Sequence, residues 1–251
     1  MIQVVCLGAG TAIPATGYSP AGIYVRIAGE HVLLDAGAGT LQRLQRCGAP
    51  WHQLDRIFLT HFHLDHCLDL ASTLFAYRLP QLGRKKPLAV YGPPGLERLY
   101  TRLNTAFQGW MTPRGFRLTL TELQEATLRF KGYAVHTKRM NHYATKAIGY
   151  RLTAAGKSLA YSGDTDLCKG IVELGRDADL LMLECSVPDE QKVEGHLTPS
   201  ECGRIAAAAG CRHLALTHFY PVFQGYDLRS RVRRAFKGRL TLARDLLPLT
   251  L

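Results

Sequence analysis

The sequence lacks the features that hold small secreted proteins together or anchor proteins in membranes. Its seven cysteines are an odd number, and no two form a C-x-x-C motif, which argues against a disulfide framework and a cysteine-based zinc knuckle. No run of about 18 uncharged apolar residues occurs, so we expect neither a membrane-spanning helix nor a membrane partner. The first ten residues contain no basic segment and no long apolar run, so we expect no signal peptide and a cytoplasmic location.

Acidic residues are also scarce relative to basic ones. The chain has 20 Asp and Glu against 31 Lys and Arg, a formal net charge of +11. This excess favours an anionic partner or substrate, either nucleic acid or a phosphoester, although solubility alone would explain it equally well. One group of basic residues is either a nucleic-acid surface or the solvated side of an amphipathic helix: Arg229, Arg231, Arg233, Arg234, Lys237 and Arg239.

Short apolar runs alternate with helical patterns along the chain, which predicts an α/β layered fold with sizeable sheets. The predicted strands are 2–7, 23–27, 31–35, 56–60, 88–91, 117–121, 127–136, 147–152, 158–161, 179–183 and 213–217. The predicted helices are 40–47, 68–79, 94–107, one capped by Thr198 and ended by Gly210, and 228–237 capped by Asp227.

The segment 58–66 carries the strongest chemical signal, because a buried strand there ends in H-x-H-x-D-H. Side chains repeat every two residues on a strand, so we expect His61 and His63 to point to the same side. Asp65 and His66 then fall on the following turn and face another direction. This arrangement suits two adjacent metal ions, and imidazole and carboxylate are ligands of zinc, manganese and iron. Ordinary core or surface histidines are the alternative, but histidines this dense would pack poorly.

Three further candidate ligands lie at predicted strand ends. His142 precedes one strand and Asp164 follows another, where a carboxylate could bridge two metals. His218 ends a third strand, and Thr217-His218 repeats the Thr60-His61 pair. A single His or Asp at a strand end is more often structural, so these residues count only as a set.

Together these segments resemble the metallo-β-lactamase superfamily and, within it, the ribonuclease Z-like phosphodiesterase branch. The resemblance covers nearly the whole chain. It rests on LGAGT at 7–11, LLDAGAGT at 33–40, the H-x-H-x-D-H segment, YGP at 91–93, His142, SGDT at 162–165, GHLT at 195–198 and LTH at 216–218. The resemblance implies one domain over residues 1–251 with a four-layer αββα sandwich, and a metal site at one edge of it.

The resemblance also implies a ligand set for two divalent metal ions, with zinc ahead of manganese or iron. The first ion would be held by His61, His63 and His142. The second would be held by Asp65, His66 and His218, and Asp164 would bridge the two ions. A hydroxide bridging the metals would attack the substrate, and Asp65 would orient it.

Three more residues receive roles from the resemblance. His196, in the GHLT segment, would contact the phosphate or protonate the leaving oxygen without binding metal. Glu184 could orient His196, and Asp35 would orient a ligand or a loop unless it only forms a turn. The substrate-binding residues stay unidentified at this stage.

One departure from the branch concerns its long transfer RNA-binding arm, which follows the third histidine ligand. Only 22 positions separate His142 from Asp164, and predicted strands fill much of them, so no room remains for the arm. In size the chain is closer to the phosphodiesterase of the carbon–phosphorus lyase pathway, yet it lacks that enzyme's additional cysteine zinc site between residues 7 and 46.

The sequence therefore predicts a dinuclear metal-dependent phosphodiesterase for a small or cyclic phosphodiester or for RNA. One alternative is a metal-dependent hydrolase of thioesters, lactones or β-lactams, because the same core also attacks carbonyl carbon. Another is a nucleic-acid-binding or scaffold protein with a degenerate site. Relatives in this branch often form homodimers, so a homodimer is a further expectation.

Overall fold

The computed structural model describes residues 2–223 and 225–251, which form fourteen strands and seven α-helices. The strands are β1 (Ile2–Gly8), β2 (Gly22–Ile27), β3 (Glu30–Leu34), β4 (Arg56–Phe58), β5 (Leu88–Gly92), β6 (Leu118–Glu122), β7 (Thr127–Phe130), β8 (Tyr133–His142), β9 (Thr145–Ala154), β10 (Lys157–Tyr161), β11 (Leu180–Glu184), β12 (His213–Thr217), β13 (Arg239–Leu242) and β14 (Leu247–Thr250). The helices are α1 (Thr40–Arg46), α2 (Leu64–Cys67), α3 (Asp69–Arg78), α4 (Leu96–Ala106), α5 (Lys169–Gly175), α6 (Pro199–Ala209) and α7 (Leu228–Ala235).

The strands form two mixed sheets of seven strands each, in the part of the chain that is described. Their spatial orders are β14-β1-β2-β3-β4-β5-β6 and β13-β12-β11-β10-β9-β8-β7. Strands β3 to β6 are parallel in the first sheet, and strands β10 to β13 are parallel in the second. The carboxyl ends of these parallel strands supply most of the loops at the metal-binding edge described below.

The central parallel strands β11 and β12 are buried along their whole length because both of their faces are covered. In β11, Leu180 and Met182 enter the core between the sheets, whereas Leu181 and Leu183 pack under helices α5 and α6. A third core lies between the first sheet and helices α1, α3 and α4. Three cores separate four layers, so the predicted αββα sandwich is confirmed.

Several predicted element boundaries are wrong. The strand predicted over 127–136 is a hairpin, because Gly132 adopts a positive φ of 86° and turns β7 back onto β8. Strands β13 and β14 were not predicted, and each joins one sheet at its margin. Helix α7 begins after Asp227, whose Oδ1 accepts from the Ser230 amide, but it ends at Ala235 because Phe236 turns into the core in an extended conformation.

The interval between His142 and Asp164 contains β9, β10 and short connections, which agrees with the prediction that it has no room for an arm. Tyr143 and Ala144 join β8 to β9. The residues on either side of them, His142 and Thr145, pair with each other across the hairpin. Among the described residues, no helix has the length and hydrophobicity that a membrane crossing requires.

Candidate metal centre

Strand ends from both sheets meet at one edge of the sandwich, and the predicted site residues lie there. The junction depends on Thr60, whose carbonyl accepts a hydrogen bond from the Ile148 amide of the opposite sheet at 3.0 Å. The predicted strand 56–60 therefore ends early, at Phe58, because the chain leaves the first sheet at this point. Beyond Thr60 the chain crosses towards the second sheet, so the residues that follow lie between the two sheets.

His61 and His63 do not share a strand end, contrary to the sequence expectation. They lie in the loop after β4, yet their ring centroids are 4.6 Å apart. Asp65 and His66 follow on the single turn of α2. The short helix places the His66 ring 4.2 Å from the His61 ring, centroid to centroid, so two adjoining groups of ligand atoms form.

The first group contains one ligand atom each from His61, His63, His142 and Asp164, all within 4.8 Å of one another. His63 Nδ1 is 3.1 Å from His142 Nε2, and the Nε2 atoms of His61 and His142 are each 3.8 Å from Asp164 Oδ2. Ligand atoms of a tetrahedral zinc ion are separated by about 3.4 Å, which follows from bond lengths near 2.1 Å. The buried Nε2 of His61 has no hydrogen-bond partner.

The second group contains Asp65, His66 and His218, with the other oxygen of Asp164 beside it. His66 Nε2 is 3.1 Å from His218 Nε2 and 3.2 Å from Asp164 Oδ1. His218 Nε2 is 3.4 Å from Asp65 Oδ2 and 3.5 Å from Asp164 Oδ1. Asp164 Oδ1 is buried without a hydrogen-bond partner, so this carboxylate presents one oxygen to each group.

Oxygen atoms behind the cluster hold four of the histidines by their Nδ1 atoms. The contacts are Thr60 Oγ1 to His61 at 3.1 Å, Asp35 Oδ2 to His66 at 2.8 Å, the Gly195 carbonyl to His142 at 2.8 Å and Ser186 Oγ to His218 at 3.0 Å. Carbonyl and carboxylate oxygens only accept, and both hydroxyls donate to a carboxylate elsewhere. Each Nδ1 therefore carries the proton, and the Nε2 lone pair faces the cluster.

Asp35 accepts four hydrogen bonds behind the site. Its carboxylate accepts from the Thr60 amide, the Thr60 hydroxyl, the Tyr161 hydroxyl and His66 Nδ1 at 2.7 to 2.9 Å. Asp35 is fully buried and has a positive φ of 57°, a conformation that non-glycine residues rarely adopt. The strained backbone aims the carboxylate at both the chain crossing and His66, so Asp35 does more than form a turn.

Glu184 and His196 form a second buried carboxylate–imidazole pair. His196 Nδ1 is 3.0 Å from Glu184 Oε1, and the same oxygen accepts from the Thr165 amide at 2.7 Å. The His196 ring centroid is 4.9 Å from that of His142. Burial lowers the pKa of His196, but the bond to Glu184 outweighs it and raises the pKa above its ordinary value.

The charge balance of the site favours bound cations. Asp35, Asp65, Asp164 and Glu184 are all buried, and no lysine or arginine among the described residues forms a salt bridge with them. Burial alone would raise the pKa of Asp65, but His218 and His66 hold it at about 2. Buried carboxylates without compensating charge are costly, and divalent ions would supply that charge. The donor set of imidazole and carboxylate therefore fits divalent metals.

Sequence reasoning missed three supports of this site. Ser186 links Glu184, His196 and His218, and the Gly195 carbonyl fixes His142. Thr60 Oγ1 contacts His61 Nδ1, whereas Thr217 Oγ1 contacts Cys6 Sγ. The Thr217-His218 pair therefore resembles the Thr60-His61 pair in sequence but not in its side-chain contact. Backbone carbonyls and serine hydroxyls carry no distinctive sequence signal, and only the fold reveals these contacts.

The basic residues near the C-terminus lie on and after α7. Leu228 and Val232 are buried beneath this helix, which matches an amphipathic helix with a solvated side. Arg231 pairs with Glu190 at 2.6 Å, and Arg233 donates to the carbonyl of Gly238. Part of this basic group is therefore already engaged within the chain.

Comparisons with known proteins show the family and the fold. Residues 30–219 match the family model described as a beta-lactamase superfamily domain. A ribonuclease Z of Streptomyces avermitilis is 30% identical over 98% of this chain and 96% of its own length. The alignment spans 300 positions, more than the 251 residues present here, so the relative has segments that this chain lacks.

Two solved structures share the fold. The metallo-β-lactamase fold protein YhfI from Bacillus subtilis superposes with a TM-score of 0.84, 24% identity and coverage of 99% of this chain and 98% of that one. The human tRNase Z, short form, has a TM-score of 0.80, 25% identity and the same coverage of both chains. With its clustered histidines and aspartates, the chain is a metal-dependent hydrolase that belongs to the metallo-β-lactamase superfamily, in the ribonuclease Z-like branch.

Proposed function

We propose that the protein is a phosphodiesterase that holds two divalent metal ions, preferably zinc, and cleaves RNA. The observation that carries this proposal is the carboxylate of Asp164, which presents one oxygen to each of two ligand groups. The choice of RNA rests on the similarity to proteins named ribonuclease Z and on the excess of basic residues.

The residues that would hold the ions are the two groups described above. His61, His63 and His142 would bind the first ion, and Asp65, His66 and His218 would bind the second, with Asp164 between them. When bound, such ions lower the pKa of coordinated water and neutralise charge on a phosphoryl group.

Two side chains supply the remaining chemistry. Asp65 directs Oδ2 towards His218, and its Oδ1 has no hydrogen-bond partner among the described residues, so it is free to orient the attacking water. His196 donates Nδ1–H to Glu184, and this bond raises the pKa of His196, which favours the imidazolium form. The Nε2–H of the imidazolium would donate the proton to the departing oxygen. The homodimer and the cytoplasmic location that the sequence analysis expects remain predictions.

A substrate panel tests the proposed reaction. The zinc-loaded protein is expected to hydrolyse bis(p-nitrophenyl) phosphate and single-stranded RNA, and to show far lower kcat/KM on p-nitrophenyl acetate and on an acyl thioester. Activity on either carbonyl substrate without activity on the phosphodiesters would establish the alternative hydrolase instead.

His196 is predicted to act as the general acid, so its loss should depend on the leaving group. For His196→Ala, kcat on RNA is expected to fall by about 10²–10⁴-fold, because the departing sugar oxygen needs a proton. On bis(p-nitrophenyl) phosphate the fall should be much smaller, since p-nitrophenolate leaves unprotonated. Equal losses on both substrates, with normal metal content, would show that His196 contacts the phosphate and does not donate the proton.

Asp35 is predicted to support metal binding through His66. Asp35→Asn removes the carboxylate charge and leaves one oxygen to accept from donors that two oxygens serve now, so the bond to His66 Nδ1–H weakens. Zinc affinity, measured by chelator competition, should fall by about 10–100-fold. Asp179→Asn is the matched control, because Asp179 is also buried but bonds Ser158, Lys157 and Arg212 away from the site. Equal zinc affinities in the two variants would exclude this role for Asp35.

A further inference from the structure

A cleft of about 340 Å³ opens beside the first ligand group, between α4 and the hairpin that joins β8 to β9. Phe62 is one of its lining residues. Its ring packs on the backbone at two glycines, where an added Cβ would lie 3.4 Å from the ring at Gly92 and 3.5 Å at Gly95. Phe62 is flanked in the chain by His61 and by the exposed His63 of the first ligand group.

The cleft is lined by basic side chains and by no acidic one. Arg98, Arg102 and Lys146 face it, and none of them has a salt-bridge partner within residues 2–223 and 225–251. Arg98 and Arg102 are four positions apart on α4, so they share one helix face and repel each other. The nearby Glu122 is already occupied, because its Oε1 accepts from the amides of Gly95 and Glu97.

An aromatic ring beside a row of unpaired cations is the combination that binds single-stranded nucleic acid, because bases stack on the ring and cations follow the phosphates. We propose that this cleft binds the phosphodiester next to the scissile one through Arg98, Arg102 and Lys146, and that the adjoining base stacks on Phe62. The inference rests on the proposed function, because it takes RNA as the substrate, and it adds the surface that holds the strand.

The basic residues of α7 offer a comparison inside the same chain. Arg229 and Arg234 are exposed on α7 and have no salt bridge among the described residues. Removing them changes the net charge by the same amount as removing Arg98 and Arg102. A difference between the two double variants therefore separates a local subsite from the overall charge.

The test is the binding of a fluorescein-labelled single-stranded RNA 12-mer in EDTA, which prevents metal-dependent cleavage. Fluorescence anisotropy gives Kd at several salt concentrations. For the double variant R98A/R102A, Kd should rise about tenfold or more, and the slope of log Kd against log salt should fall by about 1.4, because two phosphate contacts are lost. Phe62→Leu should raise Kd about fivefold, because it removes the stacking surface.

The control R229A/R234A should keep Kd within about twofold of the wild-type value. An R98A/R102A variant that binds like the wild type, or a control that loses as much affinity, would overturn the phosphate subsite. Wild-type affinity of Phe62→Leu would overturn the stacking role. Thermal melting of each variant shows whether it is folded.

Activity measurements separate this inference from the proposed function. If the zinc-loaded wild-type protein hydrolyses bis(p-nitrophenyl) phosphate while the arginine variants bind RNA normally, only the cleft assignment fails. If RNA binding depends on the cleft as described and no phosphodiester is hydrolysed, the proposed function fails and the cleft stands as a nucleic-acid site.

Discussion

The structure of the site depends on negative charge that is buried where the two sheets meet. Asp35, Asp164 and Glu184 are all at least 98% buried, and histidines are their only partners able to carry positive charge in the described parts of the chain. Such an arrangement is stable only if positive charge enters the cluster as protons or as metal ions. The fully bonded Nδ1 atoms turn the Nε2 atoms of four histidines inward, which favours metal ions over protons.

The candidate metal site needs both sheets, because each sheet supplies part of the ligand set. One ligand set comes from the first sheet through the loop after β4, and the others come from β8, β10 and β12 of the second sheet. Thr60 joins the sheets, since its carbonyl accepts from β9 and its amide and hydroxyl donate to Asp35. Asp35 in turn bonds His66, so packing between the sheets and positioning of the ligands are one hydrogen-bonded unit.

Much of this could be predicted from sequence because ligand residues are chemically distinctive. The spacing of His61, His63, Asp65 and His66 indicated two ligand groups, although the backbone proved to be a loop and a helical turn. The hairpin at Gly132 and the late strands β13 and β14 escaped prediction, because their pairing depends on partners distant in sequence. Ser186 and the Gly195 carbonyl escaped for the same reason, since only the folded chain brings them to His218 and His142.

The central claim is that one carboxylate, Asp164, lies between two metal ions in a single site. The most direct measurement is the metal content of purified protein after saturation with zinc and desalting, determined by mass spectrometry against protein concentration. The account predicts two equivalents of zinc per chain. A value of one or below would contradict the shared, two-ion site on which the proposed chemistry rests.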